Sequence, residues 1–247
     1  MRQVLFEWRG MKIYAYTAML YLGLVFGVTG GTYAGTLHGL APGPVYALML
    51  LLILPALLGA RLLFVFSNWN LYRGHRRRIW RRADSGAALY GGLIVSFLLS
   101  LPLLRALGIS VGAFWDATIV TMLIGMIFTK FGCLLNGCCG GRQTASKLGL
   151  YLPNEHGVWC RRVPAQLLEA GLAVVLLIGS LQVWHRLPFA GACFLSVVAG
   201  YSVGRWWLES TRETVDTVGS IRVHRMISAV LVTLSTATLM LLWFHKS

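Results

Sequence analysis

Acidic residues are scarce in this 247-residue chain: Asp and Glu together number eight, and charged residues of either sign reach only 12%. So small a charged fraction, beside a hydrophobic share of 57% and a mean hydropathy of +0.68, excludes disordered, collagen-like and ordinary soluble classes. The five cysteines are odd in number, and two of them, Cys138 and Cys139, are adjacent, which excludes a secreted disulfide framework. There is no internal repeat, no low-complexity linker and no evident cleavable signal peptide, because the first apolar stretch is span-length and lacks a clear small-residue cleavage site. Nothing resembles a folded nucleic-acid module either, so no nucleic-acid partner is expected. The net charge of +14 is assigned to lipid, since anionic headgroups attract basic juxtamembrane segments at about 1 kcal/mol per residue.

What the chain does have is apolar length. A membrane span needs roughly 20 mostly apolar residues, so this length allows about six to eight helices and no large soluble domain. Runs bounded by charge, Gly or Pro predict helices at 14–36, 45–67, 87–105, 112–131, 164–183, 188–208 and 226–244. The expectation is an all-α integral membrane protein with about seven spans in a single polytopic domain over residues 1–247. Every backbone polar group in a bilayer is paired internally, and runs this long favour helices over the short alternating strands of a barrel. Trp69, Trp80, Trp159, Trp184, Trp206 and Trp243 fall near the proposed ends, as interfacial anchors do.

The basic residues are distributed unevenly. The N-terminus (Arg2, Arg9, Lys12), the loop after the second helix (Arg73, Arg76, Arg77, Arg78, Arg81, Arg82), the segment after the fourth (Arg142, Lys147, Arg161, Arg162) and the loop before the seventh (Arg212, Arg222, Arg225) share one side. The other side holds only Arg105, Arg186 and Lys246. The positive-inside rule places the richer side in the cytoplasm; the alternative is that some of these arginines bind lipid phosphate.

Ionisable groups within membrane helices are functional candidates by default, and here they are Arg61, Asp116, Lys130, Glu169, Arg205 and Glu209. Arg205 and Glu209 have i, i+4 spacing and share a helical face. They read either as a buried ion pair that fixes packing or as a phosphate clamp in which Glu209 orients the bidentate guanidinium, with Arg61, Lys130 and Arg142 as candidates to converge on the same headgroup. The densest signal is the stretch from Lys130 to Arg142, K-F-G-C-L-L-N-G-C-C-G-G-R. There the fourth helix is expected to break into a Gly/Cys-rich segment lining a cavity. Glycines permit positive φ and close approach of a ligand, and Asn136 supplies amide donors and an acceptor. Cys133, Cys138 and Cys139 lack the paired C-x2-C spacing of common zinc sites and the C-x-x-C of thiol–disulfide exchangers. They read chiefly as small buried apolar residues, so neither a metal nor a cofactor is expected.

These residues resemble the prolipoprotein diacylglyceryl transferase family, bacterial membrane enzymes that move diacylglycerol from phosphatidylglycerol to the lipobox cysteine of prelipoproteins. Tyr16, Met19 and Gly23 resemble the family's first-helix Y-G-L-M-Y-x-x-G, and Gly59-Ala60-Arg61-Leu62 its G-x-R-L. Gly86 with Tyr90-Gly91-Gly92 is similar to G-x-x-x-H-G-G. Lys130 to Arg142 resembles R-x-G-N-F-x-N-G-E followed by G-R, with Gly132, Asn136, Gly137, Gly141 and Arg142 in register. Pro164-x-Gln166-Leu167-x-Glu169 is similar to H-P-x-Q-L-Y-E, and Arg205-x-x-x-Glu209-x-x-Arg212-Glu213 to R-F-x-x-E-F-x-R-E.

The resemblance implies a phospholipid-dependent transferase of the bacterial inner membrane with phosphatidylglycerol as donor. It implies Lys130, Asn136, Arg142, Arg205 and Glu209 as catalytic residues, and Tyr16, Arg61, Tyr90, Gly91, Gly92, Gly132, Gly137, Gln166 and Glu169 as substrate-binding residues. It also puts the N-terminus and the 131–163 segment outside the cell, against the charge count.

The departures are specific. The family's histidine in H-G-G is Tyr90, its signature arginine Lys130, its first signature asparagine Cys133, its signature glutamate Cys138, and the histidine before Pro164 is Val163. Tyrosine titrates near pH 10 and histidine near 6.5, so Tyr90 is a weak general base that retains the ability to hydrogen-bond phosphate. Glu169 is the remaining carboxylate to consider as base, or as a helix-bridging acceptor. The phosphate-handling half of the site is thus retained and the proton-handling half altered, which points to an acceptor other than the lipobox cysteine. The rival readings are a non-catalytic anionic-lipid-binding scaffold and a small-molecule or lipid transporter.

Overall fold

The computed structural model describes residues 4–8, 11–67, 69–74, 89–153, 158–212, 217–218 and 221–246. Trp80, Gly86, Glu213 and the arginines at 2, 9, 76, 77, 78, 81 and 82, all named above, lie outside them, as does the side chain of Tyr90. A short hairpin, β1 (Val4–Trp8) and β2 (Met11–Tyr14), leads into α1 (Ala15–Leu37). Then follow α2 (Pro42–Ser67), the single turn α3 (Trp69–Tyr72), α4 (Leu89–Ala106) and α5 (Val111–Asn136). An antiparallel hairpin, β3 (Leu150–Pro153) with β4 (Trp159–Arg162), precedes α6 (Ala165–Val183) and α7 (Ala192–Leu208). The small pair β5 (Thr217–Val218) and β6 (Ile221–Arg222) leads into α8 (Val223–Lys246).

Among the described residues, seven long helices thus occupy the seven predicted segments, and five of them are long and apolar enough to cross a bilayer. The other two are shorter: α4 has 18 residues and α7 has 17, about 25 Å for the latter at 1.5 Å per residue. Large apolar side chains such as Leu54, Phe66, Val175, Trp207 and Leu241 point outward, as befits a chain whose solvent is lipid. The protein is a multi-pass integral membrane protein.

The largest departure from expectation is in α5. The helix does not break near residue 131 but continues to Asn136 and stops at Gly137, whose φ of 77° is left-handed. Lys130 does not end it because its charge meets a carboxylate on α6, and Gly132 does not end it because it is buried where α1 crosses. A Cβ at Gly132 would stand 3.1 Å from Met19 Cβ and 3.3 Å from Tyr16 Cα. The whole α1–α5 contact is built this way. Gly23, Gly27, Gly31 and Gly35 recur every fourth residue on α1, and a Cβ on Gly27 would come 2.8 Å from the Thr121 carbonyl. Without a hydrophobic force between helices in lipid, small residues admit the close backbone approach that dispersion requires.

α5 is the axis of the bundle, with α1 on one side and α6 and α7 on the other. Phe114, Trp115, Ile119, Val120 and Leu123 form the centre of the core with Val28, Leu48, Ala173 and Val197. Trp115 donates to Ser100 Oγ of α4 at 3.1 Å and packs on Phe97 and Phe194. Trp184 is buried and stacked on His38 with ring centroids 4.0 Å apart, so it is a core residue rather than an interfacial anchor.

Asp116, an intramembrane candidate from the sequence, has a structural place. Its two carboxylate oxygens accept from the backbone N–H groups of Gly191 (2.6 Å) and Phe194 (2.7 Å), capping the start of α7 from the neighbouring helix. Helix N-termini carry unsatisfied donors and partial positive charge, which a carboxylate satisfies. Asp116→Ala is expected to cost about 1–3 kcal/mol by leaving those donors orphaned, read as a lower thermal unfolding midpoint in detergent.

Candidate active site

The ends of α5, α6 and α7 converge under a polar cap. The Schellman-type turn after α5, in which Cys138 N–H donates to Cys133 O (3.1 Å) and Gly137 N–H to Leu134 O (3.2 Å), reverses the chain. The following strand-like residues are then stitched to two other elements. Gly141 N–H donates to Val163 O (3.0 Å), Arg142 N–H to Thr211 O (2.8 Å), and Val163 N–H to Arg142 O (3.0 Å). Gly141 must be glycine there, since a Cβ would stand 2.5 Å from Val163 O and 2.7 Å from Thr211 O. Gln166, buried in the first turn of α6, donates from Nε2 to Cys138 O at 2.6 Å. Arg162 is fully buried and donates to Gly141 O at 3.4 Å. It is therefore a structural residue of the cap rather than a topology-setting surface charge.

Inside this cap lies an ion cluster centred on Glu169, in the second turn of α6. Its Oε2 pairs with Lys130 Nζ of α5. Its Oε1 accepts from Arg212 Nη2 (2.5 Å) and Nε (3.2 Å) and lies 3.8 Å from Arg205 Nη1. The other face of the Arg205 guanidinium pairs through Nη2 with Glu209 Oε2 at 2.8 Å. The i, i+4 pair expected from the sequence therefore exists, across the junction between α7 and the 3-10 turn Glu209–Thr211. Three cations and two carboxylates leave this group one positive charge in excess. Glu169 and Glu209 are 2% and 1% exposed, whereas the Lys130 and Arg212 side chains keep 16% and 20% of their surface, so the accessible face of the cluster is cationic. Burial alone would lower the pKa of Arg212, and the Glu169 carboxylate reverses this and holds it above the ordinary arginine value.

The remaining candidates distribute unevenly. Tyr16, in the first turn of α1, lies against Gly132 at the α1–α5 crossing. Asn136 is the last residue of α5 and Gly137 its left-handed cap. Arg142 joins the cap through its backbone, with an exposed side chain. Arg61 sits over the rings of Phe64 and Tyr72 at 5.7 Å each, at the α2–α3 corner. Gly91 and Gly92 are helix-packing residues. A Cβ on Gly92 would stand 2.6 Å from the Ala56 carbonyl, and Gly91 meets Gly59 backbone to backbone, as α4 runs beside α2. Tyr90 falls in the first turn of α4. Sequence reasoning missed Arg212 as a site residue. Its signal was present: it is a basic residue in the same motif, seven residues after Arg205.

Beside the ion cluster, the thiols of Cys133, Cys138 and Cys139 lie within 4.8 Å of one another; among the described residues this is the group able to hold a metal ion.

The comparisons with known proteins agree with the motifs. The family model described as prolipoprotein diacylglyceryl transferase matches residues 3–242. The phosphatidylglycerol–prolipoprotein diacylglyceryl transferase 2 of Clostridium perfringens is 26% identical over 242 residues, covering 92% of this chain and 90% of that protein. The corresponding enzyme of Lactiplantibacillus plantarum is 27% identical, covering 90% of this chain and 82% of its own length, and that of Trichormus variabilis is 25% identical, covering 98% and 90%. With a match over nearly its full length and all six motifs in family order, the chain belongs to the prolipoprotein diacylglyceryl transferase family.

Proposed function

We propose that this protein is a phospholipid-dependent transferase of the bacterial inner membrane, a single polytopic domain that uses phosphatidylglycerol as donor of a diacylglyceryl group. The observation that carries this reading is the Glu169-centred cluster, in which buried carboxylates hold Lys130, Arg205 and Arg212 with a cationic face exposed. In the reaction, the acceptor heteroatom forms a bond to the glyceryl carbon of the donor. The carbon–oxygen bond to phosphate breaks, and glycerol phosphate departs carrying the electron pair as added negative charge. Preorganised cations stabilise charge where it develops, often the largest single contribution to catalysis. Lys130 and Arg212 meet the phosphate, and Arg205, oriented by Glu209, completes the clamp. Asn136, Gly137 and Gln166 set the turn over the site, with Tyr16 and Gly132 at its side.

Glu169 is not the general base in this reading: surrounded by three cations, its carboxylate is engaged in holding them. Tyr90 stands where the family has a histidine, so the acceptor's proton must be removed without that imidazole. An acceptor more acidic than an alkyl thiol, or one bringing its own base, meets this requirement, and we assign the acceptor to that class.

The test is to incubate the protein in nanodiscs with phosphatidylglycerol and host membrane extract and follow products by mass spectrometry. Loss of donor with release of glycerol phosphate and a new diacylglyceryl-bearing product is expected, and that product identifies the acceptor. Bound but unchanged phosphatidylglycerol across a broad acceptor panel would replace this reading with a lipid-binding scaffold.

A further inference from the structure

The cysteines at the end of α5 form a geometric unit that the transferase reading does not use. Cys133 lies in the last turn of α5, and the Schellman-type turn returns Cys138 onto it. Cys138 N–H donates to Cys133 O at 3.1 Å, and its Sγ lies 3.7 Å from the same oxygen. Cys139 then takes a φ of 59°, the positive-φ non-glycine residue among the described residues. That conformation is sparsely populated for a side chain with a Cβ and is retained where surrounding structure demands it. The result is three sulfurs within 4.8 Å of one another, one buried, one half-buried and one exposed. A thiophilic ion at a metal–sulfur distance of 2.3 Å places its sulfurs about 3.8–4.0 Å apart in tetrahedral or trigonal geometry. Closing this group onto an ion therefore takes about 1 Å or less of side-chain movement.

A counter-charge stands beside the thiols. Thiolates are the metal-binding species, and three of them around a monovalent or divalent ion leave net negative charge. The Arg212 guanidinium lies within electrostatic reach of Cys139. Gln166, one turn before Glu169 on α6, holds the Cys138 carbonyl, so the thiol group and the ion cluster share one wall. The turn that builds the thiol group is itself anchored, which preorganises the ligands.

We infer that Cys133, Cys138 and Cys139 bind one thiophilic d10 metal ion, Zn2+ or Cu+, through three thiolates. Among the described residues the group stops at three ligands. A three-ligand zinc site has the ligand count of reactive sites with an open position rather than of closed structural ones, and exposed Cys139 leaves that position accessible. This inference is independent of the transferase reading, because its readout is metal content.

The full-length protein, purified in detergent under a non-thiol reductant, is loaded separately with Zn2+ and with Cu+, freed of excess ion and analysed for metal per chain. Cd2+ addition is followed in parallel by sulfur-to-metal charge-transfer absorption. About one equivalent per chain and a charge-transfer band are expected, both lost in C138S and in C133S/C139S; the ion retained tells zinc from copper. A second measurement needs no substitution: bound metal protects Cys138 and Cys139 from alkylation, and a chelator restores it, as mapped by peptide mass spectrometry. Binding below about a tenth of an equivalent, metal retained by a C133S/C138S/C139S variant, or alkylation indifferent to metal would each overturn the inference. Should the variants fail to fold, the alkylation result decides.

Discussion

Glu169→Gln is expected to destabilise the folded protein by about 3–5 kcal/mol, the cost of removing one partner from a buried charge cluster. Glutamine preserves shape, so the loss isolates charge. Lys130, Arg205 and Arg212 each face Glu169, and without its carboxylate three cations, from α5, α7 and the segment after α7, repel one another, with Glu209 left to balance them. A solvent-exposed pair would cost at most about 1 kcal/mol, and here the carboxylate is 2% exposed. The measurement is the thermal or denaturant unfolding midpoint in detergent. A change in the range of a surface pair would remove Glu169 from the centre of the fold's electrostatics. Adding Lys130→Gln to Glu169→Gln is expected to restore part of the loss, because it removes one uncompensated cation, and the double-mutant cycle measures their coupling.

Arg205→Ala is expected to lower the rate of glycerol phosphate release from phosphatidylglycerol by at least about 100-fold, the scale of losing one preorganised donor to a developing anion. That variant alone confounds two effects, since Arg205 is the ion partner of buried Glu209. The pair Arg205→Ala with Glu209→Gln removes both charges, so stability recovers while turnover does not. Arg205→Lys keeps the charge and loses the planar fork that spans Glu169 and Glu209, and an intermediate rate is expected. Full turnover in the stabilised double variant would show that Arg205 serves packing alone.

Much of this architecture is local and therefore readable from the chain. Apolar run length placed the seven helices within a few residues, because a bilayer imposes both the length and the internal pairing of the backbone. Arg205 and Glu209 were legible as a pair because four residues along a helix is one turn, and the six ordered motifs were sufficient to indicate the family. The end of α5 was misplaced because Lys130 and Gly132 look like a helix boundary in isolation. Their partners, Glu169 on α6 and Tyr16 with Met19 on α1, are distant in sequence.

What only the tertiary structure decided is the company each charged or small residue keeps. Glu169 was one carboxylate among several until α5 and the segment after α7 brought Lys130 and Arg212 to its two oxygens. Asp116 was an intramembrane acid until α7 started beneath it. The sequence by itself determined the solvent the protein lives in, the number of helices and the family, since hydropathy, run length and motif order are properties of the chain read in order. The centre of the ion cluster, the packing role of Gly91 and Gly92 and the convergence of three thiols depend on which helix ends meet. That is set by close packing between segments tens of residues apart, where neither periodicity nor spacing carries a signal.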